Sequence, residues 1–293
     1  MTVRSQAANG ARSRTARGGP SGNVLGTRQR SARSLLLTVL GEYVRGHSVP
    51  VWTSALIDTL GLLGVEPKAA RQALHRTAAG GLVRSDRDGR RACWSLTGSG
   101  RRLLDEGAER IYGFRGLQQS WDGRWVVVLA SVPEADRRLR HGLRTRLSWA
   151  GFGSPLPGVW ISPHAAREPE ARAAFSDLGL DKAAVSFVAR HGDIGEIRSL
   201  VAQAWDLASV EGRYERFIAE FDGLAPADPD EMLAAQTLLV HAWRRFPFLD
   251  PGLPPALLPD RWQGTTAAAL FQRLHAEWHG TAEDRWREIA ERP

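Results

Sequence analysis

A single cysteine, Cys93, among 293 residues leaves no partner within the chain. That excludes an intrachain disulfide framework and suits a reducing, cytoplasmic setting. No run of ~18 apolar residues occurs, so no membrane-spanning helix is expected. Acidic residues are missing from positions 1–41, which hold seven arginines. The first thirty residues are also poor in bulky apolar side chains and lack the apolar core of a secretory signal, although an Arg-rich, acid-free stretch overlaps in composition with a transit peptide. A disordered basic tail over 1–30 is the expectation, with an arm along DNA as its functional reading. Enzyme signatures are missing as well. There is no nucleophile elbow and no standout carboxylate pair, and Gly18–Gly22 follows no strand and makes no phosphate loop. No catalytic residue and no cofactor is expected.

What is present is segregated charge. The chain carries a net +7. Residues 42–120 hold twelve basic against eight acidic side chains, 121–200 eleven against nine, and 201–293 nine against fifteen. A basic beginning and an acidic end point to a polyanion-binding half and a second task elsewhere. A membrane surface would also attract the basic end, but no amphipathic helix with bulky apolar residues accompanies it, so nucleic acid is favoured. At 43% hydrophobic residues the chain is long enough for two or three cores.

The polyanion-binding half has a recognisable layout. Leu36, Val39, Leu40 and Tyr43 predict a first amphipathic helix. Thr53 or Ser54 caps a second, with Leu56, Ile57, Leu60 and Leu63 inward. Gly64 breaks the chain, and a third helix runs from Glu66-Pro67 to the Gly80-Gly81 stop. Its Ala70, Ala73, Leu74 and Thr77 share an apolar face, and Lys68, Arg71, Gln72, His75 and Arg76 share the opposite one. Two strand-like runs follow, Leu82–Ser85 and Arg90–Thr97, around a turn at Asp86-Arg87-Asp88-Gly89. Arg84, Arg87, Arg90 and Arg91 surround that turn. A further helix starts near Gly98-Ser99-Gly100, which needs no anion to explain it. A cationic helix beside a cationic hairpin is the layout of a winged helix-turn-helix, expected over 31–118. Its DNA-binding residues would be Lys68, Arg71, Gln72, His75, Arg76, Arg84, Arg87, Arg90 and Arg91. The bland alternative is a small α+β domain with a solvated basic face. Cys93 reads as a half-buried structural thiol.

From Trp121 the pattern changes. A strand at Trp125–Ser131, a helix from about Glu134 to Ala150, extended runs at Phe152–Pro155 and Val159–Ser162, a helix from Glu168 to Leu178 and a strand at Ala184–Arg190 give β-α-β-β-α-β, the ferredoxin-like order, over 119–200. Residues 201–293 read as all-α, interrupted at Pro226–Pro229 and Pro247–Pro259, with Trp205, Tyr214, Phe217 and Phe221 in the core. The fold class expected is therefore α+β multidomain. His275 and His279 have metal-ligand spacing on a helix, but no third ligand lies nearby in sequence, and no metal site is assigned. A richer polar-aromatic cluster runs from His241 through Trp262. Either Arg244 and Arg245 merely cap a helix C-terminus, or they pair with an anionic ligand beside aromatic surface.

These parts together resemble the PaaX-like transcriptional regulators, the repressors of phenylacetic acid degradation, over residues 33–290. The resemblance rests on Lys68–Arg76, Gly158–Pro163, Trp205-Asp206-Leu207 with Tyr214–Phe217, and above all His241–Pro259. It implies a homodimeric repressor bound to a palindromic operator, acting on an aromatic or acyl catabolic pathway and released by an aryl-CoA thioester such as phenylacetyl-CoA. The small-molecule effector would be held in 201–293 by His241, Trp243, Arg244, Arg245, Phe246 and Trp262. The family's middle domain is similar to the spacer-acquisition nucleases of CRISPR systems, which carry an Asp at the end of the first strand. Here that position reads Leu129-Ala130-Ser131-Val132, so a dimerising role is expected. The competing reading is a metal-dependent nucleic-acid-processing enzyme built on that domain, with the helix and hairpin as its substrate grip.

Overall fold

The computed structural model describes residues 31–47, 49–89, 91–114, 121–133 and 135–292. The tail over 1–30 and Arg90 lie outside them, and so does Glu134. Helix α1 (Ala32–Val39) begins where Ser31 Oγ accepts the Ser34 amide at 3.1 Å. It continues through a π-helical turn, Leu40–Val44, in which the Arg45 amide reaches back five residues to Leu40 O. Periodicity alone shows no such turn. Helix α2 (Thr53–Leu62) and helix α3 (Pro67–Ala79) follow, the latter with Pro67 in its first turn. Thr53 is not a cap: Trp52 occupies that position, and Thr53 Oγ1 donates to Ala92 O and accepts from Trp94 Nε1, both at 2.9 Å.

A three-stranded antiparallel sheet completes this half. Strand β1 (Val51–Trp52) pairs with β3 (Arg91–Leu96), which pairs with β2 (Val83–Asp88). The hairpin turn is tighter than the sequence reading placed it. Asp86 and Arg87 are in β2, Asp88 faces Arg91, and Gly89 takes the positive φ of +61° that a two-residue connection requires. Helix α4 (Gly98–Gly113) starts at Thr97, whose Oγ1 accepts the Gly100 amide at 3.0 Å.

The middle of the chain runs β4 (Arg124–Ala130), α5 (Arg137–Trp149), β5 (Gly153–Leu156), β6 (Val159–Ser162), α6 (Glu168–Ser176) and β7 (Ala184–Arg190). The four strands lie in the order β5-β6-β4-β7, each neighbouring pair antiparallel. Alternation along the strands makes two layers. Val126, Val128 and Trp160 face α5 and α6, whereas Trp125, Val127 and Ile161 face helix α7 (Ile197–Ala204) and Leu257-Leu258.

The remainder is helical: α8 (Leu207–Phe221), α9 (Pro229–Trp243), the short α10 (Phe246–Leu249) and α11 (Gly264–Ala290). Asp206 and Asp228 cap α8 and α9. The molecule is thus a mixed α/β multidomain chain with antiparallel sheets and a helical C-terminal region. Residues 31–111 and 207–290 do not bury separate cores. Leu35, Leu36, Leu40 and Tyr43 of the first helix share one core with Tyr214, Phe217, Trp243, Phe271, Trp278 and Trp286. Side chains stitch the seam: Thr38 Oγ1 to His241 Nδ1 at 2.9 Å, Tyr43 to Thr237 at 3.2 Å, and the Trp243 indole N–H to Ile111 O at 3.3 Å. The helical C-terminal region and the N-terminal helices thus form one packed unit.

Candidate functional site

Helix α3 buries Ala70, Ala73, Leu74 and Thr77, and leaves Lys68, Arg71, Gln72, His75 and Arg76 exposed along one stripe. Among the described residues, the side chains of Lys68, Arg71, Gln72 and Arg76 meet no hydrogen-bond or ion-pair partner, so their donors face solvent. His75 touches Trp94 edge-on, with ring centroids 6.0 Å apart. Trp94 lies opposite Ser85 in the hairpin, and Arg87 opposite Ala92, on the same face of the ladder. Arg87 therefore leaves the hairpin on the side turned toward α3. Arg84 and Arg91 leave by the other face, and Arg84 is paired with Asp86 at 3.4 Å. Arg90 is outside the described residues. Of the described hairpin arginines, Arg87 alone thus shares the hairpin face that meets α3.

A cavity of about 570 Å³ lies on the seam between the two halves. Leu37, Leu103, Leu104 and Ile111 wall it from the N-terminal half, with Phe248 and Leu249 opposite; Arg213, Arg244 and Arg245 also line it. The Arg244 guanidinium is partly buried, donates to Ser34 Oγ at 2.6 Å and meets no carboxylate among the described residues. Burial, with Arg245 beside it, lowers its pKa below the ordinary arginine value. Glu42 is the only carboxylate among the lining residues, and it turns to α9 and α11, where Gln236 and His275 meet it. An apolar chamber with three cations and no opposing carboxylate suits an anion carrying an apolar group.

Of the effector residues expected from sequence, only Arg244 and Arg245 reach this chamber. His241 is buried against Thr38. Trp243 is fully buried and stacks on Phe271 at 4.7 Å; Phe246 stacks on Tyr214 at 4.2 Å; Trp262 lies edge-on to Tyr214. These aromatics are core, and the apolar wall comes from Phe248, Leu249 and the first and fourth helices. In sequence the Phe248-Leu249 pair sat within the same motif, but nothing linked it to Leu37 or Leu103.

Just past α10 the C-terminal region meets the middle domain. The buried Asp250 accepts Tyr214 O–H at 2.6 Å and the Gly252 amide at 2.7 Å, and desolvation pushes its carboxyl above the usual range. Arg167 of the middle domain donates to Pro251 O at 3.0 Å, and His164 Nε2–H to Gly252 O at 2.7 Å. Displacement of α10 would therefore act directly on the middle domain. Elsewhere in that domain, the depression at the end of β4 is lined by Ala130, Ser131, Arg140, His141 and Arg144, with no carboxylate among its lining residues. A metal-dependent phosphodiester cleavage needs oxygen ligands there. On the opposite edge, Leu129, Val185 and Phe187 stand exposed on one sheet face.

Comparison with known proteins gives three family matches in chain order. "PaaX-like protein" covers residues 31–100, "PaaX protein central Cas2-like domain" 118–201 and "PaaX-like protein C-terminal domain" 205–288. The chain is 30% identical over 256 residues to the transcriptional repressor PaaX of Escherichia coli K12, covering 84% of this chain and 79% of that one. Its fold is similar to a solved structure of Rv0674, an uncharacterized protein from Mycobacterium tuberculosis, with a TM-score of 0.59 and 23% identity over 88% of this chain and 98% of the other.

Proposed function

The chain belongs to the PaaX-like protein family, and from that premise we propose that it is a dimeric transcriptional repressor that binds operator DNA and is released by an acyl- or aryl-CoA thioester. The observation that carries the reading is the stripe of unpartnered donors on α3 with Arg87 beside it. On this reading residues 31–114 form a winged helix. Arg71, Gln72, His75 and Arg76 read base edges in the major groove, and Lys68, Arg87 and Arg90 hold phosphate. Residues 121–190 form a ferredoxin-like domain that pairs two subunits through the face carrying Leu129, Val185 and Phe187. Two winged helices then meet half-sites about one helical turn apart, ~34–36 Å, or a multiple of that.

The effector occupies the seam cavity, its acyl end against Leu103, Ile111 and Phe248 and its phosphates at Arg213, Arg244 and Arg245. The repressed genes belong to an aromatic or acyl catabolic pathway, phenylacetate breakdown first among them, and the protein works in the cytoplasm. Nuclease chemistry is not favoured, because the end of β4 offers Arg140, His141 and Arg144 rather than carboxylates.

Fluorescence anisotropy on a duplex from the protein's own promoter tests both parts. The Arg71→Ala/Arg76→Ala variant should lose operator affinity, at about 1–3 kcal/mol per base-reading arginine. Arg245→Ala should keep operator affinity near wild type but resist release by phenylacetyl-CoA and a panel of related thioesters. Equal operator binding by wild type and the double variant would sink the α3 assignment. Failure of every thioester to release wild type would sink the effector assignment alone, and cleavage of the duplex in Mg²⁺ or Mn²⁺ would favour the enzyme reading.

A further inference from the structure

The carboxylate of Glu42 is 3% exposed and has no arginine or lysine partner among the described residues. His275 Nε2 lies 3.0 Å from its Oε1, and His279 Nδ1 lies 3.6 Å from the same atom. The three ligand atoms fall within 4.8 Å of one another. A tetrahedral ion bound at about 2.0–2.1 Å sets its ligands about 3.4 Å apart, and the two measured separations straddle that value.

Two further features mark a built site. Gln236 Nε2 donates to Glu42 Oε1 at 3.0 Å, and the Tyr112 hydroxyl donates to Oε2, which is how an outer shell orients a ligating carboxylate. Gln236 is itself fully buried, and its amide oxygen, on the very group that touches Glu42, meets no hydrogen-bond donor among the described residues. A water on a bound ion would supply that donor. The backbone contributes too, since Glu42 sits in the π-helical turn of the first helix, an irregularity that recurs at functional sites.

We infer that Glu42, His275 and His279 form a binding site for a divalent transition-metal ion, with zinc the best match to two imidazoles and one carboxylate, and a water in the fourth position. The assignment is independent of the DNA-binding and effector readings. Its ligands come from opposite halves of the chain, Glu42 from the helix behind α3 and both histidines from α11. The ion would pin α11 to the DNA-binding half. It would also fix Glu42 and Tyr112, which line the seam cavity, and so set the shape of that wall.

The experiment is metal titration of the stripped full-length protein, by equilibrium dialysis with Zn²⁺ and by the visible spectrum of Co²⁺. One ion per chain is expected, with a four-coordinate nitrogen-oxygen Co²⁺ spectrum that lacks thiolate charge transfer. His279 is half-exposed, so His279→Ala should fold normally and weaken Zn²⁺ binding at least tenfold. Tyr112→Phe keeps every ligand and should weaken it ~10–100-fold through the carboxylate. Wild type that binds no Zn²⁺ overturns the proposal, and so does binding that changes less than tenfold in His279→Ala.

Discussion

Arg84 and Arg87 are three residues apart on one strand, yet they leave the hairpin on opposite faces, and that decides which of them matters. Arg87 shares the face of Trp94, which touches His75 on α3, whereas Arg84 is turned away and already paired with Asp86. Arg87→Ala should weaken binding to all DNA sequences alike and flatten the salt dependence by about one unit. Arg84→Ala should change either quantity far less, which anisotropy titrations across a salt series would read. Gly100 makes a different kind of residue-level statement. A Cβ there would stand 1.9 Å from the Leu82 carbonyl oxygen, a backbone atom that cannot rotate aside. Gly100→Ala should therefore cost about 3 kcal/mol or more in urea denaturation, because the start of α4 must lift off the hairpin. The α3 stripe was legible in sequence because five polar residues at helical spacing have only one face to occupy. Trp243, Phe246 and Trp262 were not, since an aromatic beside an arginine has the same sequence signature in a pocket as in a core. Only the packing of Phe271 and Tyr214 against them, far away in sequence, separates the two.

Among the elements, β7 was read from sequence with the bounds it has, Ala184–Arg190, but what its faces do was not. Alternating Val185 and Phe187 reads as a half-buried strand. In the fold β7 is the edge of the sheet, and α7 covers only the far part of that face, so Leu129, Val185 and Phe187 remain exposed. An exposed edge with an apolar face is a liability unless it is used. If two copies pair there, Phe187→Asp places a charge in the interface without touching either helix layer. Sedimentation should then report a monomer at micromolar concentration. Operator affinity should fall with it, because each subunit is left with one half-site. A dimer that survives this change would move the interface elsewhere. The π turn and the two-residue β1 escaped the sequence for a plain reason. Both meet partners on distant elements, Gln236 and His275 at Glu42 and β3 at β1, which no local pattern reveals.

For the whole molecule, the sequence suggested beads, a DNA grip, a pairing domain and a sensor, because composition and charge change along the chain. Composition cannot show which apolar faces meet. Here the inner face of the first helix is covered by α9 and α11: Tyr43 stacks on Trp286 at 5.6 Å, its hydroxyl bonds Thr237, and Thr38 bonds His241. A chain cut after Ala204 would bare Leu35, Leu36, Leu40 and Tyr43 and strand the Glu42 carboxylate without either histidine. We therefore expect that fragment to lose cooperative unfolding and near-ultraviolet signal from its N-terminal half, and to bind operator at least tenfold more weakly than the full chain. Circular dichroism melts and anisotropy on the same preparation would show it. A beads arrangement predicts the reverse, an independent grip of unchanged affinity. The shared core also bears on control. A ligand at the seam contacts α1 and α4 on one wall and α10 on the other, and α10 runs into the loop held by Arg167 and His164. On the proposed reading, binding would bias the spacing of the two DNA-binding halves of a dimer through these packed elements. A coupling of about 1–3 kcal/mol is typical of such transitions, and linkage requires operator DNA to weaken thioester binding by the same factor that thioester weakens the operator. Thioester affinities measured with and without saturating operator should close that cycle in the full chain.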